Sequence, residues 1–572
     1  MRPRRREILS ILAAPLLLRG QGSATRNIQA RPRPKPSGIP FNAYFTDIGE
    51  AAGLRYPTIY GPTDHKDYII ETIGCGCAFF DYDNDGWIDV LVLSGQRAAG
   101  AVEGASSRLY RNNRDGTFTD VTERAGLLRD LWASAVTVGD YNNDGFEDLF
   151  ITAFGQNVLY RNNGDGTFTD VTKEAGLLDS QTRWGSGCCF VDYDRDGHVD
   201  LFVSNYLDFD LAHAPKPGAS ANCIWKGVPV TCGPRGLPYS HHTLYHNNGH
   251  GSFEDVSRQA GISATRPGYG MTVVAADFDN DGWPDIYVAC DSTPSLLFHN
   301  KHDGTFEEVG VLAGCALSDD GMDQAGMGVG IGDVNLDGNL DIFKTHFMDD
   351  TNVLYVNSGK GYFIDETMAA GLGVETRFVN WGAAIADLDN DGRPDLFYVT
   401  GNVYPEIERK NPQYPLKTPR VIFRNLGGGK FEELIEEAGP GIAARHCSRG
   451  CALGDFDNDG DLDILIVNLN EPPSLLRNDL RGSNCWLKVK LIGARSNRSA
   501  IGTRVICSYG DKRQAQELTA QSSFYSSNDP RLHFGLGSAT IADLEVRWPC
   551  SPVQFLKGIN ANRIVTIREP TA

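Results

Sequence analysis

At 572 residues the chain can bury large cores, and length alone suggests three to four domains. Asp and Glu number 73 against 53 Lys and Arg, a formal charge of −20. That excess repels phosphate and excludes nucleic acid as a partner, and no run of 18 apolar residues follows the N-terminus, so the mature chain is expected to have no transmembrane span.

The chain opens with Arg4-Arg5-Arg6-Glu7-Ile8-Leu9, an apolar stretch to Leu18, and small residues at Gly22-Ser23-Ala24. Residues 1–30 therefore read as a secretory leader, and Arg5-Arg6 followed by Ile8-Leu9 resembles a twin-arginine export signal. An ordinary leader also starts basic, so the export route stays open. Residues 31–40, with Pro32, Pro34 and Pro36, read as an extended linker. The expected location is periplasmic, cell-surface or secreted.

From residue 81 a nine-residue loop, Asp-x-Asp/Asn-x-Asp-Gly-x-x-Asp, occurs seven times, each copy between two short apolar runs. Its first, third, fifth and ninth positions are Asp81, Asp83, Asp85 and Asp89; Asp140, Asn142, Asp144 and Asp148; Asp192, Asp194, Asp196 and Asp200; Asp277, Asp279, Asp281 and Asp285; Asp333, Asn335, Asp337 and Asp341; Asp387, Asp389, Asp391 and Asp395; Asp455, Asp457, Asp459 and Asp463. In an extended strand the first, third and fifth side chains would spread over roughly 13 Å, at about 3.3 Å per residue. They meet at one point only if the backbone curls, and the sixth position then needs a residue that accepts φ > 0, which Gly86 and its six equivalents supply. Crowded acids with oxygen-only ligands select a hard cation, and calcium, up to seven ions, is the expected cofactor. The carbonyl of position seven, such as that of Trp87, and water would complete each shell. An EF-hand is excluded, because position twelve is Val92, Ile151, Val203, Val288, Lys344, Tyr398 or Ile466 rather than Glu. The Asn142 and Asn335 loops are expected to bind more weakly.

A second motif recurs in phase: Leu109-Tyr110-Arg111-Asn112-Asn113, a Gly-containing turn, then Phe118-Thr119-Asp120-Val121, with relatives starting at Leu159, Leu244, Leu297, Leu354 and Ile422. It reads as a β-hairpin. With the strands flanking the loop it makes a four-stranded unit of about 50–60 residues, which indicates a β-propeller blade. The seventh loop is followed by Leu475-Leu476-Arg477-Asn478 but by no Phe-x-Asp-Val strand. That strand stands at the other end, as Phe45-Thr46-Asp47-Ile48. Strands balance only if this segment completes the last unit, which predicts an all-β, seven-bladed β-propeller over 41–480, closed by its N-terminal strand and without open sheet edges.

Together the loops and hairpins resemble the FG-GAP (VCBS-like) calcium-binding repeats of integrin α-subunit propellers. After residue 480 the text changes to Asn484-Cys485-Trp486-Leu487-Lys488-Val489, Ile501-Gly502-Thr503-Arg504-Val505, Asp529-Pro530-Arg531-Leu532-His533-Phe534-Gly535-Leu536-Gly537 and Val546-Arg547-Trp548-Pro549. Residues 481–572 thus resemble the ASPIC/UnbV domain of the cartilage-acidic-protein-like family, expected here as a small β-rich, sandwich-like domain. Cys485 stands where that pattern has His. The resemblance implies calcium binding and extracellular association rather than a settled reaction.

Thirteen cysteines in an exported chain permit disulfides. Cys223 and Cys232 flank a Gly/Pro-rich insertion and are the first candidate pair; Cys290 and Cys315 are a second. Cys77, Cys188 and Cys451 each precede a loop by four residues and read as small buried hydrophobes. In a propeller the acidic loops share one face, and the long insertions at 55–74, 93–107, 204–242 and 401–420 share the other. Trp132, Trp184 and Tyr269 fall at equivalent positions near the channel mouth, Trp381 lies two residues nearer its loop, and Asn205, Asp291, His346 and Asn402 lie just past the second strands on the same side; together they form a candidate site for a protein or glycan, with packing between units as the competing reading. His241 and His242 beside the insertion are candidate metal ligands or solvated loop residues. The expected function is a calcium-stabilised binding or adhesion module, with an alternative: an enzyme at the channel mouth acting on a polysaccharide, lipid head group or cofactor-bearing substrate. No Gly-x-Ser-x-Gly elbow, phosphate loop or His-Glu-x-x-His motif supports the alternative.

Overall fold

A computed structural model describes residues 22–100, 102, 104–179 and 181–571. The leader's twin-arginine segment lies outside the described residues. The fold is all-β, and no helix among the described residues is long and apolar enough to cross a membrane.

Antiparallel sets of four strands recur along the chain. In the first, Cys77–Phe80 pairs with Asp89–Val92, which pairs with Arg108–Asn112, which pairs with Phe118–Asp120. The acidic loop joins the first two strands and the Gly-containing turn joins the last two. Asp89–Val92 is buried throughout, as a continuous apolar run between packed sheets requires. Corresponding sets begin at Ala133, Arg183, Gly270, Gly326, Asn380 and Ser448. The last set holds three strands from its own stretch of chain, and its outer strand is Phe45–Asp47, paired with Ser474–Asn478 in the register Phe45 to Asn478. First strands lie against one another in sequence order, and Ser448–Gly454 lies against Cys77–Phe80.

Residues after 480 form two further sheets. Cys485–Ile492 runs between antiparallel Leu532–Gly537 and parallel Arg563–Arg568. The other sheet follows the order Lys512–Glu517, Arg504–Tyr509, Ile541–Arg547, Gln554–Asn560. Leu487, Val489, Val505, Phe534, Leu544 and Val546 form a core between them that is separate from the repeat cores.

One segment of this C-terminal part, residues 519–529, enters the middle of the repeat array. Its backbone or side chains meet the first strand of every set. Phe79 N donates to Ser527 O (3.1 Å), Val136 N to Tyr525 O (3.1 Å), and Val329 N to Ser523 O (2.7 Å). Cys188 N donates to Gln521 Oε1, the Tyr525 hydroxyl meets Met271 Sδ at 3.0 Å, Phe524 packs on Trp381, and Asp529 N donates to Leu453 O. Phe524 and Tyr525 are fully buried. Gly76 permits the approach, since a Cβ there would stand 1.8 Å from Tyr525 O.

Part of the stretch read as leader and linker packs on the repeats. Residues 22–39 are docked along the repeats: Ala24 N donates to Ser292 Oγ, Arg26 pairs with buried Asp350 at 2.8 Å, and Arg33 reaches Glu375 and Glu433. A carboxylate as buried as Asp350 needs a cation or donors, and Arg26 supplies them.

Tyr525→Ala should therefore cost about 3–5 kcal/mol, the range for emptying a large aromatic site in a packed core. Denaturant unfolding checks this against Phe555→Ala at an exposed position; equal losses would mean that the inserted segment carries no packing.

Candidate metal centres

Each acidic loop is built by the same hydrogen bonds. The sixth-position glycines have φ between 84° and 96°, as the sequence requires. Position four is also left-handed, and five of its seven residues are Asn (Asn84, Asn143, Asn280, Asn390, Asn458), the type that tolerates this region best after Gly. In every loop the Gly amide donates to Oδ2 of the first Asp, as Gly86 does to Asp81 at 3.0 Å. The fifth-position amide donates to Oδ1 of that Asp in all loops but the third. The curl brings Asp81, Asp83 and Asp85 together, with ligand atoms within 4.8 Å of one another, and does the same for Asp192, Asp194 and Asp196 and for Asp277, Asp279 and Asp281.

Burial raises the ninth-position carboxylate of every loop. Burial first, then the charges of Asp83 and Asp81, push Asp89 up to about 8; burial with Asp196 and Asp194 pushes Asp192 up to about 7. Four buried ligand oxygens, Asp83 Oδ1, Asp192 Oδ1, Asp391 Oδ1 and Asp457 Oδ1, have no hydrogen-bond partner. Orphaned, convergent oxygens among like charges fit a calcium ion, which would supply the missing positive charge and rigidify the loop. Asp81, Asp83, Asp85 and Asp89 would hold it in the first loop, and the equivalent residues elsewhere.

The ninth-position Asp is anchored by a residue whose role the sequence left unassigned. Asn112 donates its amide N–H to Asp89 Oδ1 at 2.8 Å, and its side-chain Nδ2 donates to Ile88 O and to Phe456 O at 2.8 Å. Phe456 belongs to the seventh loop. Asn162, Asn247, Asn300, Asn357, Asn425 and Asn478 repeat the arrangement, each Nδ2 reaching back to position two of the preceding loop at 2.7–2.9 Å. The recurring Asn in phase with the loops is the signal that marks these residues.

The C-terminal part supports the loops from outside. Lys488 Nζ stands 2.6 Å from Asp455 Oδ2, both buried; Ala515 N donates to Asp333 Oδ2 at 3.0 Å; Ser499 Oγ accepts from Asp140 N, and Glu517 Oε1 from Asp277 N. These contacts orient the ligands, as outer-shell partners do.

The candidate partner cluster is corrected by the structure. Trp132, Trp184, Tyr269, Trp381, Asn205, Asp291, His346 and Asn402 are all buried. The insertions fold over them: Trp132 packs on Tyr60, Trp184 on Tyr206 and Phe209, and Tyr269 stacks on Tyr239 at 4.5 Å. Trp381 donates to Gly401 O under the Arg449 guanidinium, and Asp291 accepts from the Tyr206 hydroxyl at 2.7 Å. Asn205 donates to His241 O, Asn402 to Tyr414 O, and His346 Nδ1 meets Thr351 O. They pack the interior and present no open surface. His242 is buried, accepts from Asn205 N, and is held at about 4 by burial first and by His241; His241 is exposed. Cys223 and Cys232 are bonded, whereas Cys290 and Cys315 are free thiols, which corrects the second expected pair. Cys77, Cys188 and Cys451 are buried and free.

An FG-GAP-like repeat model matches residues 81–151, 140–203, 237–288 and 277–344, and an ASPIC and UnbV model matches residues 493–572. The chain is an FG-GAP-like repeat protein with a C-terminal ASPIC/UnbV domain. It is a relative of the cartilage acidic proteins: cartilage acidic protein 1 of Mus musculus is 27% identical over 500 residues, 83% of this chain and 70% of its own. That of Homo sapiens is 29% identical over 309 residues, 52% of this chain and 43% of its own. A solved Agrocybe aegerita lectin, described for its recognition of non-reducing terminal N-acetylglucosamine, is 17% identical over 68% of this chain and 88% of its own, at a TM-score of 0.36 that carries no argument.

Asn300→Ala would leave Tyr193 O and Pro284 O without a donor in a buried setting. The expected loss is about 1–3 kcal/mol for each unsatisfied group, read by urea unfolding. Exposed Asn248→Ala should stay within about 0.5 kcal/mol; similar losses in the two variants would contradict the bridging role.

Proposed function

We propose that the chain is an exported, calcium-stabilised binding module. In this reading the seven four-stranded sets, residues 41–480, are the blades of one closed seven-bladed propeller, and the C-terminal domain, residues 481–572, plugs its channel and covers the acidic loops. Closure is supported by Asn112 of the first set donating to Phe456 of the seventh, and by the pairing of Phe45–Asp47 with Ser474–Asn478. Calcium is supported above all by the orphaned carboxylate oxygens in the convergent loops. Metal bound only by the folded state adds stability by mass action, about 2.7 kcal/mol per site at one hundred times its Kd.

Recognition of a protein or glycan falls to the insertions away from the loops, where Tyr56, Ile224 and Tyr239 remain exposed. The relation to cartilage acidic proteins supports an extracellular setting. With the channel filled by residues 519–529, the alternative of an enzyme at its mouth has no observation in its favour.

Chelation should lower the melting temperature by many degrees, with up to seven calcium ions per chain counted by emission spectroscopy. An unchanged melt of demonstrably calcium-free protein would overturn the metal reading. Asp387→Ala removes one of four carboxylates and should cost more calcium-dependent stability than Asp337→Ala, whose loop already carries Asn335. Equal metal loss from the two variants contradicts that ranking. A pull-down or glycan array, run with and without calcium, tests the partner face.

A further inference from the structure

The seven loops share one backbone design but differ in the residue that the third strand carries at the position of Arg111. In the first set this is arginine: Arg111 Nε stands 2.8 Å from Asp83 Oδ2, and Arg114 reaches Asp85 at 2.7 Å from the adjoining turn. A guanidinium neutralises carboxylates but has no lone pair for a metal. In the third and fourth sets the equivalent of Arg111 is His246 and His299, and in the fourth the equivalent of Arg114 is His302.

The two imidazoles occupy nearly identical positions. His246 Nδ1 lies 3.0 Å from Asp200 Oδ1 and 3.5 Å from Asp194 Oδ2; His299 Nδ1 lies 3.1 Å from Asp285 Oδ1 and 3.6 Å from Asp279 Oδ2. Ligands held about 2.0–2.1 Å from one tetrahedral ion are about 3.3 Å apart, which these separations bracket. Asp194, Asp200 and His246 offer ligand atoms within 4.8 Å of one another, as do Asp279, Asp285 and His299. A second observation points to a ligand in the third loop. Asp192 Oδ1 is buried without a partner, because the Asp196 amide, whose counterpart satisfies this atom in the other six loops, turns to Asp194 Oδ1 instead. Asp192 converges with Asp194, the residue that the imidazole approaches at 3.5 Å, so the orphaned oxygen belongs to the same loop. In the fourth loop His302 Nε2, 2.5 Å from Asp281 Oδ2, brings a second nitrogen to the rim.

We propose that the third and fourth loops are mixed nitrogen and oxygen sites that take a d-block divalent cation of the zinc or cobalt type, with His246 and His299 as ligands, in preference to calcium. This rests on the reading of the loops as cation sites and adds the class of ion. Calcium is served by oxygen ligands, whereas imidazole favours the later first-row metals. The remaining five loops offer carboxylates without a histidine at this position.

The test uses untagged full-length protein, stripped with chelator, returned to millimolar calcium and titrated with Co²⁺ alone. Two Co²⁺ per chain are expected to bind against the calcium excess and to show visible d–d absorption. His246→Arg and His299→Arg, which install the residue that Arg111 and Arg161 supply in the first two sets, should each remove one Co²⁺ and leave the melting curve in calcium cooperative. No Co²⁺ retained against calcium, or two still retained by the double Arg variant, overturns the proposal. If the double variant unfolds, His246→Gln and His299→Gln carry the same stoichiometric test. Loss of Co²⁺ in these variants from a protein whose melt ignores calcium would sustain this inference and sink the calcium reading.

Discussion

The structure depends on how the ninth carboxylate of each loop is held. Asp89, Asp148, Asp200, Asp285, Asp341, Asp395 and Asp463 are buried acids, and each accepts the amide N–H of a third-strand asparagine. The same asparagine donates its side-chain amide to the loop of the set before it. A buried acceptor left unmet costs as much as a lost hydrogen bond, so the loop, the hairpin and the neighbouring loop are fixed together. Order imposed on one loop is thereby passed to the next through a single side chain. Asparagine suits the task because it has two N–H donors and an acceptor at short reach; Asn112 spends both donors on carbonyls and offers Oδ1 to the Arg114 amide.

The C-terminal domain acts on the same loops from the opposite side. Lys488 and the Ala515 amide address Oδ2 of a first-position Asp, the oxygen that also accepts the Gly amide of its loop. The domain also sends residues 519–529 among the first strands, where small residues allow backbone to lie on backbone. Gly76, Gly328 and Gly450 stand where a Cβ would strike a neighbouring main chain. Phe524 and Tyr525 therefore belong to the interior of the repeat array, while the terminal domain keeps a core of its own.

Much of this was legible in the sequence because it is local. Glycine at position six, the apolar strands and the Asn-Gly hairpins follow from spacing within a unit, and the displaced Phe45–Asp47 strand follows from counting strands across the units. What was not legible is relational. The asparagine bridge runs between units, so no window around Asn112 contains Phe456. Residues 519–529 read Thr-Ala-Gln-Ser-Ser-Phe-Tyr-Ser-Ser-Asn-Asp, without strand or helix periodicity, and their burial comes from partners hundreds of residues away. Repeat phase placed Trp132, Trp184 and Tyr269 at equivalent positions but carried no information about the insertions that cover them. The docking of Arg26 was hidden for the same reason, since Asp350 is distant in the chain and a basic residue after an apolar run reads as part of a leader.

The loops also show how one backbone design carries different charges. Four carboxylates in a buried curl repel one another strongly, and the first, third and fourth sets relieve this with a side chain of the third strand. The fifth set has apolar Val356 at the position of Arg111 and carries Asn335 in place of one acid, so fewer charges require compensation. The first set keeps four acids and adds Arg111 and Arg114. The third and fourth keep four acids and add imidazoles, which Asp200 and Asp285 hold up to about 9 through direct hydrogen bonds. An imidazolium balances charge as an arginine does, but it alone can release its proton and turn the freed lone pair to a cation. Substitution at a single repeat position thus separates loops compensated by a guanidinium from loops compensated by an imidazole, with the strand pairing and the asparagine bridge unchanged.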